Sequence, residues 1–258
     1  MKAVTTFSPR GYRKYGKKCL ESLIRNWPSE IVVFYEEKPD LEHEKLIYVP
    51  LNSIPERQEF LRLAENIPGS DGMVEREKAP TEYNFMRDAL KYCHKAFCQM
   101  AVEDDHVFWI DADTVVFKEI QRDFLVSLFD GHPYCYFGRT MYTETGFLGF
   151  NQTHQLFPLL KRQYINCYTK GVLFSMLGWH DCFAFDYARI GIEGNNLSPL
   201  GKGTEHVIAT SILGDYLDHL KGNRKNLGHS PEQKVQWWYG RSSPGSRGRM
   251  GATSRSSC

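Results

Sequence analysis

The sequence predicts an α/β domain on a Rossmann-like, mostly parallel central sheet flanked by helices. Three observations carry that prediction. Apolar stretches of strand length alternate with stretches of helical period from the N-terminus onward, a β-α-β order that makes strands parallel and puts helices on the sheet faces. The run Val107-Phe108-Trp109-Ile110 is apolar at four successive positions, as a strand covered on both faces requires. That run stops at Asp111-Ala112-Asp113, so a pair of carboxylates sits at a strand's carboxyl end, followed by a second apolar, β-branched run, Thr114 to Phe117.

Ala3 to Phe7 reads as the first strand, closed by Ser8-Pro9-Arg10-Gly11. A helix follows from about Tyr12 to Asn26, with Tyr15, Cys19, Leu20, Leu23 and Ile24 as its apolar stripe and Trp27-Pro28 as its stop. Ile31 to Tyr35 and Leu46 to Leu51 are the next strands. Glu56 to Glu65 reads as a helix, Pro68 to Gly72 as a turn, and Glu82 to Gln99 as a helix leading into the Asp111 strand. Later strands are expected at Tyr134 to Phe137 and Gly146 to Asn151, with helices near Thr153 to Tyr168 and Glu205 to Leu220. The domain is expected to span 1–238. From 239 to 258 the chain is rich in Ser, Gly and Arg with little to bury, which predicts a disordered tail.

The totals narrow the function classes. An apolar share of 41% and a charged share of 24% over 258 residues are those of a globular chain with a real core. A formal net charge of +1 argues against nucleic acid as a partner held by bulk electrostatics. Seven scattered cysteines without CxxC pairs indicate neither a disulfide framework nor a zinc ribbon. The N-terminus lacks a signal-peptide apolar core and no stretch reaches transmembrane length. The expectation is a soluble, cytoplasmic protein.

Asp111 and Asp113 are one residue apart, so on a strand they share a face. Carboxylates that close resist joint ionisation unless a cation sits between them. The natural occupants are hard divalent ions, Mg²⁺ or Mn²⁺, which also hold substrate phosphates. Downstream, His219-Leu220-Lys221-Gly222-Asn223-Arg224-Lys225 has the form His-x-x-Gly-x-x-Lys. His219 reads either as a capping histidine at a helix end or as a neutral imidazole ligand, and its spacing with the two residues that follow favours the ligand. Gly222 would let the backbone approach a diphosphate, and Lys225 would neutralise charge on a leaving phosphate. Thr5 and Thr6 end the first strand, where open α/β sheets place nucleotides. Arg87, Lys91 and Lys95 share one helical face, and only Lys95 comes near the sheet end.

An apolar strand ending in Asp-x-Asp, followed far downstream by His-x-x-Gly-x-x-Lys, resembles the nucleotide-sugar glycosyltransferases of GT-A fold, in particular the family-8 type that includes glycogenin and related galactosyltransferases. The resemblance implies a GT-A fold and Mn²⁺ bound by Asp111, Asp113 and His219 against the donor's diphosphate. It also implies donor contacts from Lys225 and from Lys95. Two further stretches agree more loosely. Glu144-Thr145-Gly146-Phe147-Leu148-Gly149-Phe150-Asn151 keeps the glycine and final asparagine of a family motif but has Glu144 where asparagine is usual. Trp179-His180-Asp181-Cys182 supplies the aspartate, not the glutamine, of an Asp-Gln pair that faces the transferred sugar. By that resemblance Glu144 and Asp181 are the candidate catalytic residues.

The expected activity is metal-dependent transfer of a hexose from a nucleotide diphosphate sugar, a UDP-sugar above all, to an acceptor hydroxyl on a glycan, protein or small molecule, with retention if the family likeness holds. One alternative is an inactive GT-A-like carbohydrate-binding or scaffolding module. Another is a HAD-type phosphatase, with Asp111 as nucleophile and Asp113 as general acid/base. That family needs a later acidic element, and Gly214-Asp215-Tyr216-Leu217-Asp218 has the wrong spacing for it.

Overall fold

The computed structural model describes residues 1–76, 79–199, 206–222 and 224–231. The expected tail lies outside the described residues. The chain opens with strand β1 (Lys2–Phe7). Ser8 accepts from the Gly11 amide at 3.1 Å and Pro9 supplies a helical φ, which starts the helix that follows. That helix runs through α1 (Pro9–Gly11), a π turn at Tyr12–Gly16 and α2 (Lys17–Asn26). Gly16 belongs in the π turn because a Cβ there would stand 2.9 Å from the Phe7 ring. Then come β2 (Glu30–Tyr35), β3 (Leu46–Pro50) and α3 (Pro55–Ala64).

A hairpin of β4 (Asp71–Arg76) and β5 (Ala79–Asp88) precedes α4 (Ala89–Ala101). The expected helix from Glu82 therefore begins only at Ala89. Asp88 fixes that start by accepting from the Lys91 amide at 3.0 Å and from the Tyr83 hydroxyl at 2.7 Å. Upstream of it Tyr83 and Glu82 pair with Met73 and Val74 instead of continuing a helical turn. Arg87 consequently leaves the expected helical face and lies over the Trp179 ring, 4.4 Å from its centroid.

The remaining elements are β6 (His106–Ile110), β7 (Thr114–Val116), α5 (Arg122–Ser127), β8 (Tyr134–Phe137), β9 (Glu144–Asn151), α6 (Phe157–Thr169), α7 (Asp181–Ala188), β10 (Asn195–Asn196), β11 (Leu217–His219) and α8 (Arg224–Leu227). The helix expected from Glu205 to Leu220 is absent over its described part. Ser211 caps a short 3₁₀ turn at Ile212–Asp215, and Leu217–His219 pairs antiparallel with Thr114–Val116. The chain is folded so tightly there that a Cβ on Gly214 would stand 2.1 Å from the Ala209 carbonyl oxygen. Tertiary pairing has overridden the local helical period.

The seven-stranded sheet has the order β10-β8-β9-β6-β1-β2-β3. Strands β3, β2, β1 and β6 are parallel, β9 is antiparallel to both β6 and β8, and β10 is parallel to β8. This is the predicted class, a mostly parallel sheet flanked by helices. Strand β6 shows why its sequence is apolar throughout. Val107 and Trp109 pack with Phe97 of α4 and Tyr164 of α6 on one face, while Phe108 and Ile110 pack with Leu20 and Leu23 of α2 on the other. Burying each of these large side chains contributes roughly 1.5–3 kcal/mol. Cys19, Cys93, Cys98, Cys135, Cys167 and Cys182 are free buried thiols. No helix among the described residues is long and apolar enough to cross a membrane.

Candidate metal and donor site

Asp111 and Asp113 lie just past β6, in the turn that joins it to β7, and not on one pleated strand as the spacing predicts. The Thr114 amide closes that turn by donating to the Asp111 carbonyl at 2.9 Å, and the Asp111 amide donates to the Gly146 carbonyl at 2.9 Å. The β7–β11 ribbon sets His219 opposite Thr114, and the Leu220 amide donates to the Asp113 carbonyl at 3.0 Å. A distant part of the chain is thus laced onto the Asp-x-Asp turn by backbone pairing.

The result is a convergence on one imidazole nitrogen. His219 Nε2 lies 3.0 Å from Asp113 Oδ1 and 3.4 Å from Asp111 Oδ2. Each aspartate gives its other oxygen to a lysine: Asp111 Oδ1 to Lys95 at 2.7 Å, and Asp113 Oδ2 to Lys225 at 2.8 Å. The Trp109 indole donates to Asp111 Oδ1 at 2.8 Å, and Lys225 sits over the Tyr15 ring at 4.6 Å from its centroid. Tyr15 is carried by the π turn of the first helix.

Behind this group lies a layer of buried charges. Glu144 is 1% exposed and stands 3.6 Å from His219 Nδ1. Its oxygens accept from Lys221 Nζ at 2.7 and 2.6 Å, from the Gly146 amide at 2.9 Å and from Arg139 at 3.0 Å. Asp181, 2% exposed at the start of α7, accepts from Lys95 at 2.9 Å and from the Thr145 hydroxyl at 2.5 Å. Lys95 therefore ties Asp111 to Asp181, while Glu144 backs His219 from the far side of its ring.

These contacts decide which groups carry charge. Burial alone would push the Glu144 carboxyl up, but Lys221, His219 and Arg139 outweigh it and hold the group at about 2. Burial likewise works against Asp113 and Asp181, and the groups beside them, His219 and Lys225 for the first and Lys95 with the Thr145 hydroxyl for the second, bring both below the usual carboxylate range. Burial would lower Lys95, yet Asp111 and Asp181 raise it well above an ordinary lysine.

One cavity of about 1440 Å³ contains the site and opens at the carboxyl ends of β1 and β6. Lys95, Asp111, Asp113, Glu144, Asp181, His219, Gly222 and Lys225 all border it, so the structure brings these sequence-predicted residues together. Gly222 has a φ of +54° with open space where a Cβ would be, so its backbone can be approached closely. The two threonines separate. Thr6 lines the cavity and donates to the Phe34 carbonyl at 2.9 Å, whereas Thr5 points the other way and is fully buried. Strand alternation allows only one of the pair to face the site, and the expectation for Thr5 is corrected accordingly.

Four contributors escaped the sequence reading. Trp109, two residues before Asp111 on the same strand, could have been found from its spacing. Thr145 and Lys221 stand inside motifs already singled out. Nothing local marks Arg139, which is brought in by the β8–β9 connection. Asp218, the acid nearest the phosphatase pattern, is buried and accepts from both the amide and the hydroxyl of Ser230 at 2.6 Å, so it is committed to holding a loop.

Asp111, Asp113 and His219 offer two carboxylate oxygens and one imidazole nitrogen, all within 4.8 Å of one another. That donor set fits a divalent cation, and the Glu144 carboxylate, 3.6 Å from the opposite ring nitrogen, stands on the side where ligating histidines ordinarily have an outer partner. His180, Asp181 and Cys182 also lie close together, but Asp181 is committed to Lys95 and Thr145.

No protein-family model matches the chain, and no curated protein matches it in sequence. Among solved structures it is similar to mouse xyloside xylosyltransferase 1, at 11% identity over 72% of this chain and 81% of that one, with a TM-score of 0.43. It is similar to the galactosyltransferase LgtC, solved with donor and acceptor sugar analogues, at 13% identity over 72% and 70% of the two chains, TM-score 0.40. It is also similar to the glycosyltransferase GlyE of Streptococcus pneumoniae TIGR4, at 14% identity over 72% of this chain and 43% of that one, TM-score 0.39. At these values the likeness carries no functional argument, and the reading of the site rests on its geometry.

Proposed function

We propose that this chain is a GT-A-type glycosyltransferase that moves a hexose from a nucleoside diphosphate sugar, a UDP-sugar by its resemblance, to an acceptor hydroxyl. The observation that carries this reading is the meeting of Asp111, Asp113 and His219 around one point, with Lys225 and Gly222 beside it in the same cavity. Two carboxylates and an imidazole would hold Mn²⁺ or Mg²⁺. When bound, the cation supplies Lewis-acid stabilisation to the departing diphosphate.

The chain's own residues supply the rest. Lys225 is placed to take up phosphate charge, and the left-handed Gly222 leaves its amide accessible to a diphosphate oxygen. Thr6, Phe7 and Ser8 border the cavity at the end of β1, the place for the nucleoside. Lys95, held between Asp111 and Asp181, orients the first ligand and the carboxylate that faces the transferred sugar. Glu144 is engaged by two cations and an amide, so its part is to hold His219 and not to attack or accept a proton. In the transfer the bond from the anomeric carbon to the β-phosphate oxygen breaks and its electron pair leaves with the diphosphate. The acceptor oxygen forms the new bond, and its proton passes to the departing phosphate oxygen.

The test is thermal denaturation of the full chain with UDP and UDP-sugars, with and without Mn²⁺, followed by turnover of the best donor. Stabilisation by UDP only when Mn²⁺ is present, together with slow donor hydrolysis, supports the reading. Metal-dependent binding without any turnover would make the chain a binding module, and equal effects with and without metal would overturn the site.

A further inference from the structure

The cavity is larger than one ligand needs. Sites for single small molecules usually enclose about 300–1,000 Å³, and this one encloses about 1440 Å³. Its lining also changes character along a row of contacts. Tyr15 meets Lys225, Lys225 meets Asp113, and the ligand triad leads through Asp111 and Lys95 to Asp181. Beyond Asp181 the wall becomes aromatic. His180 lies among Tyr142 at 5.1 Å, Tyr92 at 5.7 Å and Phe85 at 6.1 Å between ring centroids, and all four border the cavity. Phe85 is 49% exposed and Met141, also on the cavity border, is 80% exposed. A donor bound across the metal triad leaves this aromatic end free.

His180 itself lacks something. Its Nδ1 accepts from the Cys182 amide at 3.3 Å, so the neutral ring carries its proton on Nε2. The residue is 4% exposed and Nε2 has no hydrogen-bond partner among the described residues. A buried donor without an acceptor is costly, and because Nε2 has no surface of its own open to the cavity, a neighbouring ring must move aside before a ligand oxygen supplies that acceptor.

We infer that Phe85, Tyr92, Tyr142 and His180 form the subsite for the acceptor, and that the acceptor is a pyranoside whose apolar C–H face lies on these rings while one hydroxyl accepts from His180 Nε2. This rests on the glycosyl-transfer reading for the word acceptor, but the subsite has its own evidence. Pyranose rings have one face of C–H bonds and an equator of hydroxyls, which is the chemistry an aromatic wall with a single unpaired N–H selects. It also sets the acceptor next to Asp181, one residue along the chain, where the transferred sugar is placed.

The experiment is saturation-transfer NMR on the full chain saturated with UDP and Mn²⁺. The probes are methyl β-pyranosides of gluco, galacto, xylo and N-acetylgluco configuration. At least one is expected to bind, with transfer strongest on its C–H face. Tyr142→Ala and Phe85→Ala should each weaken it by about threefold to tenfold, leaving UDP affinity and the unfolding temperature unchanged. Both residues are only part-buried, so folding is not at stake, and His180→Phe tests the N–H with the ring retained. The inference is overturned if no pyranoside binds while UDP does, if the variants bind as the wild type does, or if UDP displaces the pyranoside. If a pyranoside binds in a Tyr142-dependent way but UDP with Mn²⁺ does not bind, the sugar subsite stands and the donor reading falls.

Discussion

Gly146 lies so close against His219 that a Cβ at position 146 would stand 2.2 Å from both Nδ1 and Cε1 of the imidazole. The same residue donates its amide to Glu144 and accepts the Asp111 amide on its carbonyl, each at 2.9 Å. One glycine therefore sets three members of the site at once. The close approach, not backbone freedom, is why no side chain is tolerated here. Gly146→Ala must push the imidazole off the two carboxylates. The expected result is Mn²⁺ binding at least ~10-fold weaker. Titration of free Mn²⁺ by electron paramagnetic resonance reads this directly, and unchanged affinity would show that the ring has no part in holding the ion.

Asp113 is a different kind of position. Its carboxylate faces His219 and Lys225, which hold it below its ordinary range against the cost of burial. Asp113→Asn keeps the shape and removes the charge. Lys225 is part-exposed and can turn to water, so the loss of stability should stay below the ~3–5 kcal/mol of a fully buried pair broken from one side. Metal-dependent binding of UDP should fall by more than the ~10–100-fold typical of outer-shell changes. Calorimetric titration of UDP in excess Mn²⁺ checks the point, and wild-type affinity would contradict a ligand role for Asp113.

Glu144 tests whether a buried carboxylate positions a ligand or reacts. Glu144→Gln leaves Arg139 and Lys221 without the carboxylate both now share. Breaking a buried pair from one side costs about 3–5 kcal/mol, and the lower end applies because Lys221 can reach solvent. Urea denaturation should show that loss, with Mn²⁺ affinity down by ~10–100-fold. A catalytic role would instead leave metal affinity intact and remove turnover alone. Glu144→Gln combined with Lys221→Met should recover part of the stability, since the uncompensated cation is then gone.

The sheet and the chemistry of its edge were legible because both are written in short-range signals. The four-residue apolar run of β6 and the Asp-x-Asp that ends it are local, and so is the His-x-x-Gly-x-x-Lys spacing. Pairing that depends on distant partners was not. His219 reads locally as the end of a helix, but residues 217–219 are a strand because β7 offers them an edge. Glu82 to Asp88 contains the helix formers Glu82, Met86 and Arg87, yet its Tyr-x-Phe alternation suits the hairpin with β4, and Asp88 is a capping residue in plain view. Thr5 and Thr6 could not be told apart by composition. Only the register of β1 decides which one faces the cavity.

His94 offers a prediction away from the ligands. Its Nδ1 accepts from Arg57 Nε at 3.0 Å, and Arg57 is itself buried and held by the Asn52 side chain at 3.1 Å. Burial, and then the guanidinium beside it, lower the His94 pKa to about 4, with Glu36 at 4.0 Å too far to compensate. Above its ordinary pKa of about 6.5 the ring is neutral whether the chain is folded or not, and contributes nothing to pH dependence. Between about 6.5 and 4 the unfolded chain takes up a proton that the folded one refuses, so stability falls as pH falls through that window. The largest loss is about 3 kcal/mol, from a shift of roughly two and a half pKa units. His94→Gln retains an acceptor for Arg57 without titrating. Urea midpoints at pH 7.5 and 5.0 should therefore drop less for the variant than for the wild type, with the carboxylates contributing equally to both. Parallel drops would mean that His94 takes its proton as readily in the folded chain as in the unfolded one.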